Sequence, residues 1–138
     1  IEVVTRVGAR NAIVQALIPE IYQEGDKRIL LVDGELLGVV GRIPSQGDIR
    51  SNVHVGGSAA PATLSDADRS IIETIAPRLV ADGLFFVGLD VIGGKLIEVN
   101  VTSPTLIQQM SRLVGENLAA PVIDKLEEKV RRYGVDAS

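Results

Sequence analysis

The sequence contains no cysteine among its 138 residues, and aromatic side chains make up only 3% of it. Without cysteine, disulfides, thiolate metal sites and thiol nucleophiles are excluded within this stretch, which fits a cytoplasmic protein. No apolar run reaches the roughly 20 residues that a transmembrane helix needs. A GxxxxGK[ST] segment is also missing, so a P-loop nucleotide site is excluded within these residues.

The overall charge is modestly acidic, with a formal net charge of −4 at pH 7. This balance argues against a nucleic-acid-binding or anionic-membrane surface, although it leaves room for a local basic site that binds phosphate. With 46% hydrophobic residues, the chain is long and apolar enough for one ordinary core. It begins Ile1-Glu2-Val3, without an initiating Met or a leader pattern, so we expect a fragment.

Apolar runs separated by turn signals predict an α+β domain built around a mostly antiparallel sheet with flanking helices. Residues 44–62 carry several glycines and prolines without a core period, which indicates a long loop. We expect strands at 12–18, 28–32, 36–43, 84–92 and 96–100, and helices after the capping-box-like Ser65 and Asp68, from Pro104, and across 122–130.

Asp90, Glu98 and Asn100 stand out because they interrupt two apolar strands joined by a Gly-Gly turn. A three-residue loop over 93–95 would pair Asp90 with Glu98 and place Asn100 on the same face, whereas a strict two-residue turn would move Asp90 to the other face. Two carboxylates and an amide oxygen are ligands that suit a hard cation, Mg²⁺ or alternatively Mn²⁺. An ion pair with a Lys or Arg elsewhere is the alternative explanation.

Two arginines together point to an anion site, whereas either of them alone is more typical of a surface charge. Arg28 and Arg42 lie on strands that we expect to pair, so their guanidinium groups can converge on one phosphate or acyl phosphate. The Gly-rich loop that follows Arg42 adds free backbone N–H groups, which are also anion-binding parts. Beside a magnesium site, these features favour phosphoryl transfer.

Several ordered stretches make the sequence resemble bacterial glutathione synthetase, an ATP-grasp ligase. The stretches are 15–21, 24–28, 41–44, 50–52, 56–57, 86–93 and 98–105. The resemblance covers nearly the whole chain and implies that residues 1–138 are the C-terminal part of an ATP-grasp catalytic domain. The N-terminal substrate domain and the first ATP-grasp lobe have no counterpart in it.

The resemblance also implies roles for individual residues. Asp90, Glu98 and Asn100 match metal ligands, and Arg28 with Arg42 match catalytic positions that face phosphate. The matching nucleotide-binding residues are Gln15, Ala16, Leu17, Ile18 and Asp26, with Asp26 on the ribose. The matching substrate-side residues are Arg50, Asn52, Gly57, Val101, Thr102 and Ser103.

The implied activity is ATP-dependent ligation of γ-glutamylcysteine and glycine to glutathione through an acyl phosphate, in a cytoplasmic and homo-oligomeric full-length protein. Two alternatives stay open. ATP-grasp ligases that add glutamate to a protein C-terminus share the Gly-Asp-x-Arg-Ser-Asn loop seen at 47–52. A degenerate grasp fold that binds nucleotide without turnover is the non-enzyme alternative. The fragment alone is expected to be inactive.

Overall fold

A five-stranded antiparallel sheet with helices on both faces forms the protein. The computed structural model describes residues 6–43 and 58–133. The elements are α1 (Ile21–Glu24), β1 (Asp26–Val32), β2 (Glu35–Ile43), β3 (Ser58–Pro61), α2 (Asp66–Ala81), β4 (Phe86–Ile92), β5 (Lys95–Asn100), α3 (Ile107–Val114) and α4 (Ala119–Arg132). The strand order is β3-β2-β1-β4-β5, and every neighbouring pair is antiparallel. The predicted α+β class is confirmed.

Strand alternation gives the sheet two different faces. Ile29 and Leu31 of β1 join an apolar cluster with Val87 and Leu89 of β4, and α2 covers this cluster through Leu79. On the opposite face, one half is an apolar cluster covered by α3, made of Leu30, Val40, Leu106 and Met110. The other half of that face carries buried charged side chains.

The β4–β5 hairpin reaches the predicted pairing by a different route. Ile92 pairs with Lys95, so the turn has two residues and the predicted three-residue loop is wrong. A bulge next to Asp90 then inserts one extra residue in β5, and Asp90 still pairs with Glu98. A bulge shifts the register by one position, so it restores the face that the tight turn would have changed.

Two segments differ from the sequence prediction. Residues 12–18 form no strand, and Ile13 is 89% exposed. No strand in the described parts of the chain pairs with this segment, so its backbone groups have no sheet partner. Conversely, the end of the predicted loop forms β3, which pairs with β2. Residues 44–57 of that loop lie outside the described residues.

The helices follow the prediction with shifted boundaries. Ser65 and Asp68 form a reciprocal capping box that begins α2, and the helix ends before Asp82 and Gly83 as expected. Helix α3 begins at Ile107 rather than at Pro104, which is buried in the preceding segment. None of the helices in the two described ranges has the length and apolar character needed to cross a membrane.

Gly25 provides the first testable prediction. Its φ of 68° and ψ of −149° favour glycine, and an added Cβ would lie 2.1 Å from the backbone oxygen of Arg42. Gly25→Ala should lower the free energy of unfolding by about 2–6 kcal/mol through backbone strain and overpacking. Denaturant unfolding of the full-length protein measures it.

Gly83→Ala is the matched control. Gly83 also has a positive φ, 73°, but its added Cβ would meet nothing within 4 Å. In this control the free energy of unfolding should fall by only about 1–2 kcal/mol, from left-handed backbone strain alone. Equal losses in the two variants would contradict the close contact with Arg42.

Candidate active site

The charged half of the second sheet face brings together four side chains from three adjacent strands. Asp26 and Arg28 come from β1, Arg42 from β2 and Asp90 from β4. The register pairs Asp26 with Arg42 and Arg28 with Asp90, so all four lie on one face. Each is at most 8% exposed, which makes this a buried charge cluster.

Asp90 is the centre of this cluster because both of its oxygens accept from guanidinium groups. Arg28 Nε lies 2.5 Å from Asp90 Oδ1, and Arg28 Nη2 lies 3.0 Å from Oδ2. Arg42 Nη2 lies 2.8 Å from Asp90 Oδ2 and also contacts Asp26. The predicted convergence of Arg28 and Arg42 is therefore present, with a carboxylate at the meeting point.

The ion pairs outweigh the effect of burial on both charges. Burial alone would raise the pKa of Asp90, but hydrogen bonds and charges from Arg28 and Arg42 hold that pKa below its ordinary value. Burial would likewise lower the pKa of Arg42, yet Asp26 and Asp90 together raise it. Asp90 and Arg42 are thus both charged at neutral pH. The formal charges of the two arginines and two aspartates in the cluster sum to zero.

Gly88 allows Arg28 to cross the sheet surface toward Asp90. A Cβ at Gly88 would lie 3.2 Å from Arg28 Cδ and 3.0 Å from Pro104 Cβ. Both neighbours occupy the space that a side chain would need, so any larger residue there would force Pro104 or Arg28 to shift by a few tenths of an ångström. The same contact brings the segment after β5 next to the cluster.

Glu98 and Asn100 lie on β5 beside Asp90. Glu98 is exposed and forms no ion pair with the described residues, while Asn100 Nδ2 lies 3.5 Å from the Gly88 carbonyl oxygen. That orientation of the amide leaves its oxygen free for another partner. The predicted triad is therefore brought together on one face.

These residues fit a hard cation through their chemistry. The described residues contain no group of three His, Asp or Glu side chains arranged to hold a metal. Asp90 and Glu98 offer two carboxylates, and the amide oxygen of Asn100 is a third oxygen on the same face. Asp90 would share its carboxylate between the cation and the two arginines. The alternative explanation, an ion pair with arginine, is realised at Asp90. Glu98 has no Lys or Arg partner among the residues that the structure describes.

The other predicted site residues are more dispersed. Gln15, Ala16 and Leu17 are exposed and Ile18 is half-buried, in an irregular segment before α1, and Val101, Thr102 and Ser103 are exposed after β5. Asp26 lies against Arg42, and its buried Oδ1 has no hydrogen-bond partner within the described ranges. Arg50, Asn52 and Gly57 lie outside the described residues. Their predicted roles stay predictions, as do the cytoplasmic location and the homo-oligomer.

One ion pair near the site was not predicted from the sequence. Lys27 Nζ lies 2.6 Å from Asp68 Oδ2 on the helix-covered face of the sheet. From the sequence, Asp68 is recognisable only as the residue that completes the capping box with Ser65. A contact between residues 41 positions apart requires the tertiary structure.

Comparison with known families decides which enzymes this arrangement resembles. The family described as prokaryotic glutathione synthetase, ATP-grasp domain, matches residues 1–115, most of the chain. The chain belongs to this glutathione synthetase family. The predicted family resemblance is confirmed.

Curated glutathione synthetases are similar over nearly all of this family member. The protein from Parasynechococcus marenigrum (strain WH8102) is 50% identical over 130 residues, which are 94% of this chain and 42% of that protein. The protein from Synechocystis sp. (strain ATCC 27184 / PCC 6803 / Kazusa) is 49% identical over 129 residues, 94% of this chain and 40% of that protein. The chain thus spans less than half the length of these relatives.

A solved structure supports the fold of this glutathione synthetase family member. D-alanine–D-alanine ligase from Bacillus anthracis, crystallised in complex with ATP, aligns with a TM-score of 0.54 and 14% sequence identity. The alignment covers 79% of this chain and 40% of the ligase. The predicted ATP-grasp fold is confirmed.

Asp90→Asn tests the buried cluster in the full-length glutathione synthetase family member. At neutral pH it should lower the free energy of unfolding by about 3–5 kcal/mol, because two buried guanidinium groups lose their shared counter-ion. The difference from wild type should shrink as pH falls from about 4 through the lowered pKa of Asp90, where the wild-type carboxylate also becomes neutral. Denaturant unfolding across pH measures both effects.

Glu128→Gln is the control. The Arg132–Glu128 pair is equally short, at 2.5 Å, but both of its side chains are more than half exposed. It should change stability by less than about 0.5 kcal/mol. A loss in Asp90→Asn no larger than in this control would show that the cluster is not held together as described.

Proposed function

We propose that this chain is the C-terminal part of the ATP-grasp catalytic domain of an ATP-dependent ligase that joins γ-glutamylcysteine and glycine. The observation that carries the proposal is the 50% identity to a curated glutathione synthetase over 94% of the chain. The charge cluster adds support, because phosphoryl transfer depends mainly on positioning and on neutralising charge.

The proposed reaction has two steps. First, the carboxylate of the γ-glutamylcysteine cysteinyl residue attacks the γ-phosphorus of ATP, the bond to the ADP oxygen breaks, and an acyl phosphate forms. Second, the glycine amine attacks the acyl carbon, the amide bond forms, inorganic phosphate leaves and the amine loses a proton. Activation is needed because a free carboxylate is a poor electrophile.

Arg28 and Arg42 are proposed to stabilise charge on the phosphoryl group and on the tetrahedral species. Each guanidinium has five N–H donors, and the contacts with Asp26 and Asp90 use only some of them. The remaining donors can bind phosphate oxygens without breaking the cluster. Held by buried carboxylates, these donors are oriented before substrate binds, so they need no reorganisation at the moment of reaction.

A divalent cation is proposed at Asp90, Glu98 and Asn100. Because the charges of the four-residue cluster cancel, the cluster itself attracts polyphosphate weakly, and a bound cation would supply the missing positive charge. When bound, Mg²⁺ or Mn²⁺ neutralises phosphate oxygens and orients them for in-line transfer. Glu98 is well suited to this role since its exposed carboxylate has no other cation partner in the described part of the chain.

The remaining assignments complete the proposed site. The irregular segment before α1 would contact adenine through its backbone groups. These groups are available because the segment is not part of a strand. The exposed turn after β5 would contact the acceptor substrates, because Pro104 holds the end of this turn beside Arg28. The residues concerned are Gln15, Ala16, Leu17, Ile18 and Asp26 for the nucleotide, and Arg50, Asn52, Gly57, Val101, Thr102 and Ser103 for the substrates.

Substrate choice is tested with the full-length protein by ADP release in the presence of Mg²⁺. γ-Glutamylcysteine with glycine should support release, whereas glutamate with a peptide carboxylate should not. Release with the second pair alone would assign the protein to the glutamate-adding ligases. Nucleotide binding without release in either mixture would favour the non-catalytic alternative.

Glu98→Gln tests the cation site without disturbing the core. The variant should lower kcat by about 100-fold or more, the usual effect of losing one charge-stabilising group, and should require more Mg²⁺ for half-maximal activity. Because Glu98 is exposed, the free energy of unfolding of the variant should stay within about 0.5 kcal/mol of the wild-type value.

Glu127→Gln is the matched control, since Glu127 is also an exposed glutamate but lies on α4 and pairs weakly with Arg131 at 3.5 Å. Its kcat and Mg²⁺ requirement should equal those of wild type. An unchanged Mg²⁺ requirement in Glu98→Gln would remove Glu98 from the cation site.

A further inference from the structure

Lys27 lies between two cluster residues but points to the other face of the sheet. Its neighbours in β1, Asp26 and Arg28, project toward the cluster, so alternation sends Lys27 toward α2. There Lys27 Nζ donates to Asp68 Oδ2 at 2.6 Å. The Lys27 side chain is 27% exposed, whereas Asp68 is 1% exposed.

The strand register places Lys27 directly behind the cluster. Lys27 pairs with Gly41 on one side and with Val91 on the other. Each of these partners is next in sequence to a cluster residue, Arg42 or Asp90. Lys27 is therefore the single position in the sheet that is adjacent to all four cluster residues.

Asp68 provides a rigid attachment for this position. Its carboxylate accepts from the backbone N–H of Ser65 at 2.9 Å, and Ser65 Oγ accepts from the backbone N–H of Asp68 at 3.2 Å. Burial would raise the pKa of Asp68, but Lys27 and Ser65 hold it below its ordinary value, so the charge persists at neutral pH. Helix α2 itself packs on the core through Leu79.

We propose that Lys27 and Asp68 are positioning residues for the ligase reaction. Their ion pair attaches one part of the sheet to α2, and Arg28, Arg42 and Asp90 project from that same part. This inference rests on the proposed function. Shifting a catalytic group by about 1 Å can cost on the order of 100-fold in rate, so a contact behind the sheet can control turnover.

The chain offers a matched ion pair at the far end of the same strand. Lys129 of α4 contacts Asp33, which directly follows β1, and its side chain is 24% exposed. This pair also ties a helix to the sheet through a partly buried lysine, but no cluster residue is next to it. Lys129→Met therefore separates the general effect of losing a helix–sheet ion pair from an effect on the site.

The experiment compares Lys27→Met, Lys27→Arg and Lys129→Met in the full-length protein. At saturating Mg²⁺, Lys27→Met should lower kcat about tenfold or more and leave the KM for ATP within about twofold. Lys27→Arg, which keeps the charge and the reach, should recover most of kcat. Lys129→Met should keep wild-type kcat. It should lose less stability than Lys27→Met, because its partner Asp33 is 26% exposed and keeps contact with water, whereas Asp68 is 1% exposed.

A second readout distinguishes this inference from the proposed function. Mn²⁺ is titrated by electron paramagnetic resonance in the presence of ADP, and Lys27→Met should weaken Mn²⁺ binding several-fold relative to Lys129→Met. If wild type releases no ADP with either substrate pair, the proposed function fails and this titration alone decides the positioning role.

Asp68→Asn replaces Lys27→Met if the latter does not fold, because the amide oxygen can still accept from Ser65 while the charge is removed. Wild-type kcat and Mn²⁺ affinity in a folded Lys27→Met or Asp68→Asn variant would overturn the proposal. Equal losses of kcat in Lys27→Met and Lys129→Met would overturn it as well.

Discussion

The carboxylate of Asp90, buried between the guanidinium groups of Arg28 and Arg42, is the interaction on which the rest of the structure depends. A charge at this depth is tolerated only when its partners come from neighbouring strands in the correct register. Arg42 in turn requires Asp26, so three strands must align before any of the four charges is compensated. The cluster thus links the register of the sheet to the chemistry of the site.

Local features of the chain serve this alignment. The bulge in β5 keeps Glu98 opposite Asp90 despite a two-residue turn, and Gly88 leaves space for Arg28 to cross. Behind the sheet, α2 holds the same region through Lys27. The four charges of the cluster cancel formally, and Glu98 adds one negative charge beside them. A divalent cation at Asp90 and Glu98 would therefore turn a formally negative site into a positive one that attracts polyphosphate. The fold and the proposed ligase chemistry therefore require the same contacts.

Much of this could be predicted from the sequence because it depends on short-range patterns. Capping by Ser65, the turn at Asp33 and the alternation around Asp90 are local, and each is present in the structure. The prediction of a strand at 12–18 was wrong, since an apolar run cannot indicate whether a partner strand exists. Which arginines reach Asp90 depends on which strands become neighbours, and the Lys27–Asp68 pair depends on where α2 packs on the sheet. Periodicity contains no information about either.

The most direct test of the account is a crystal structure of the full-length protein with ADP and Mn²⁺, measured at a wavelength that reveals the anomalous signal of manganese. The account predicts a manganese peak bounded by Asp90, Glu98 and Asn100, with N–H groups of Arg28 and Arg42 facing the phosphate oxygens. A peak remote from Asp90, with both arginines turned away from the nucleotide, would contradict it.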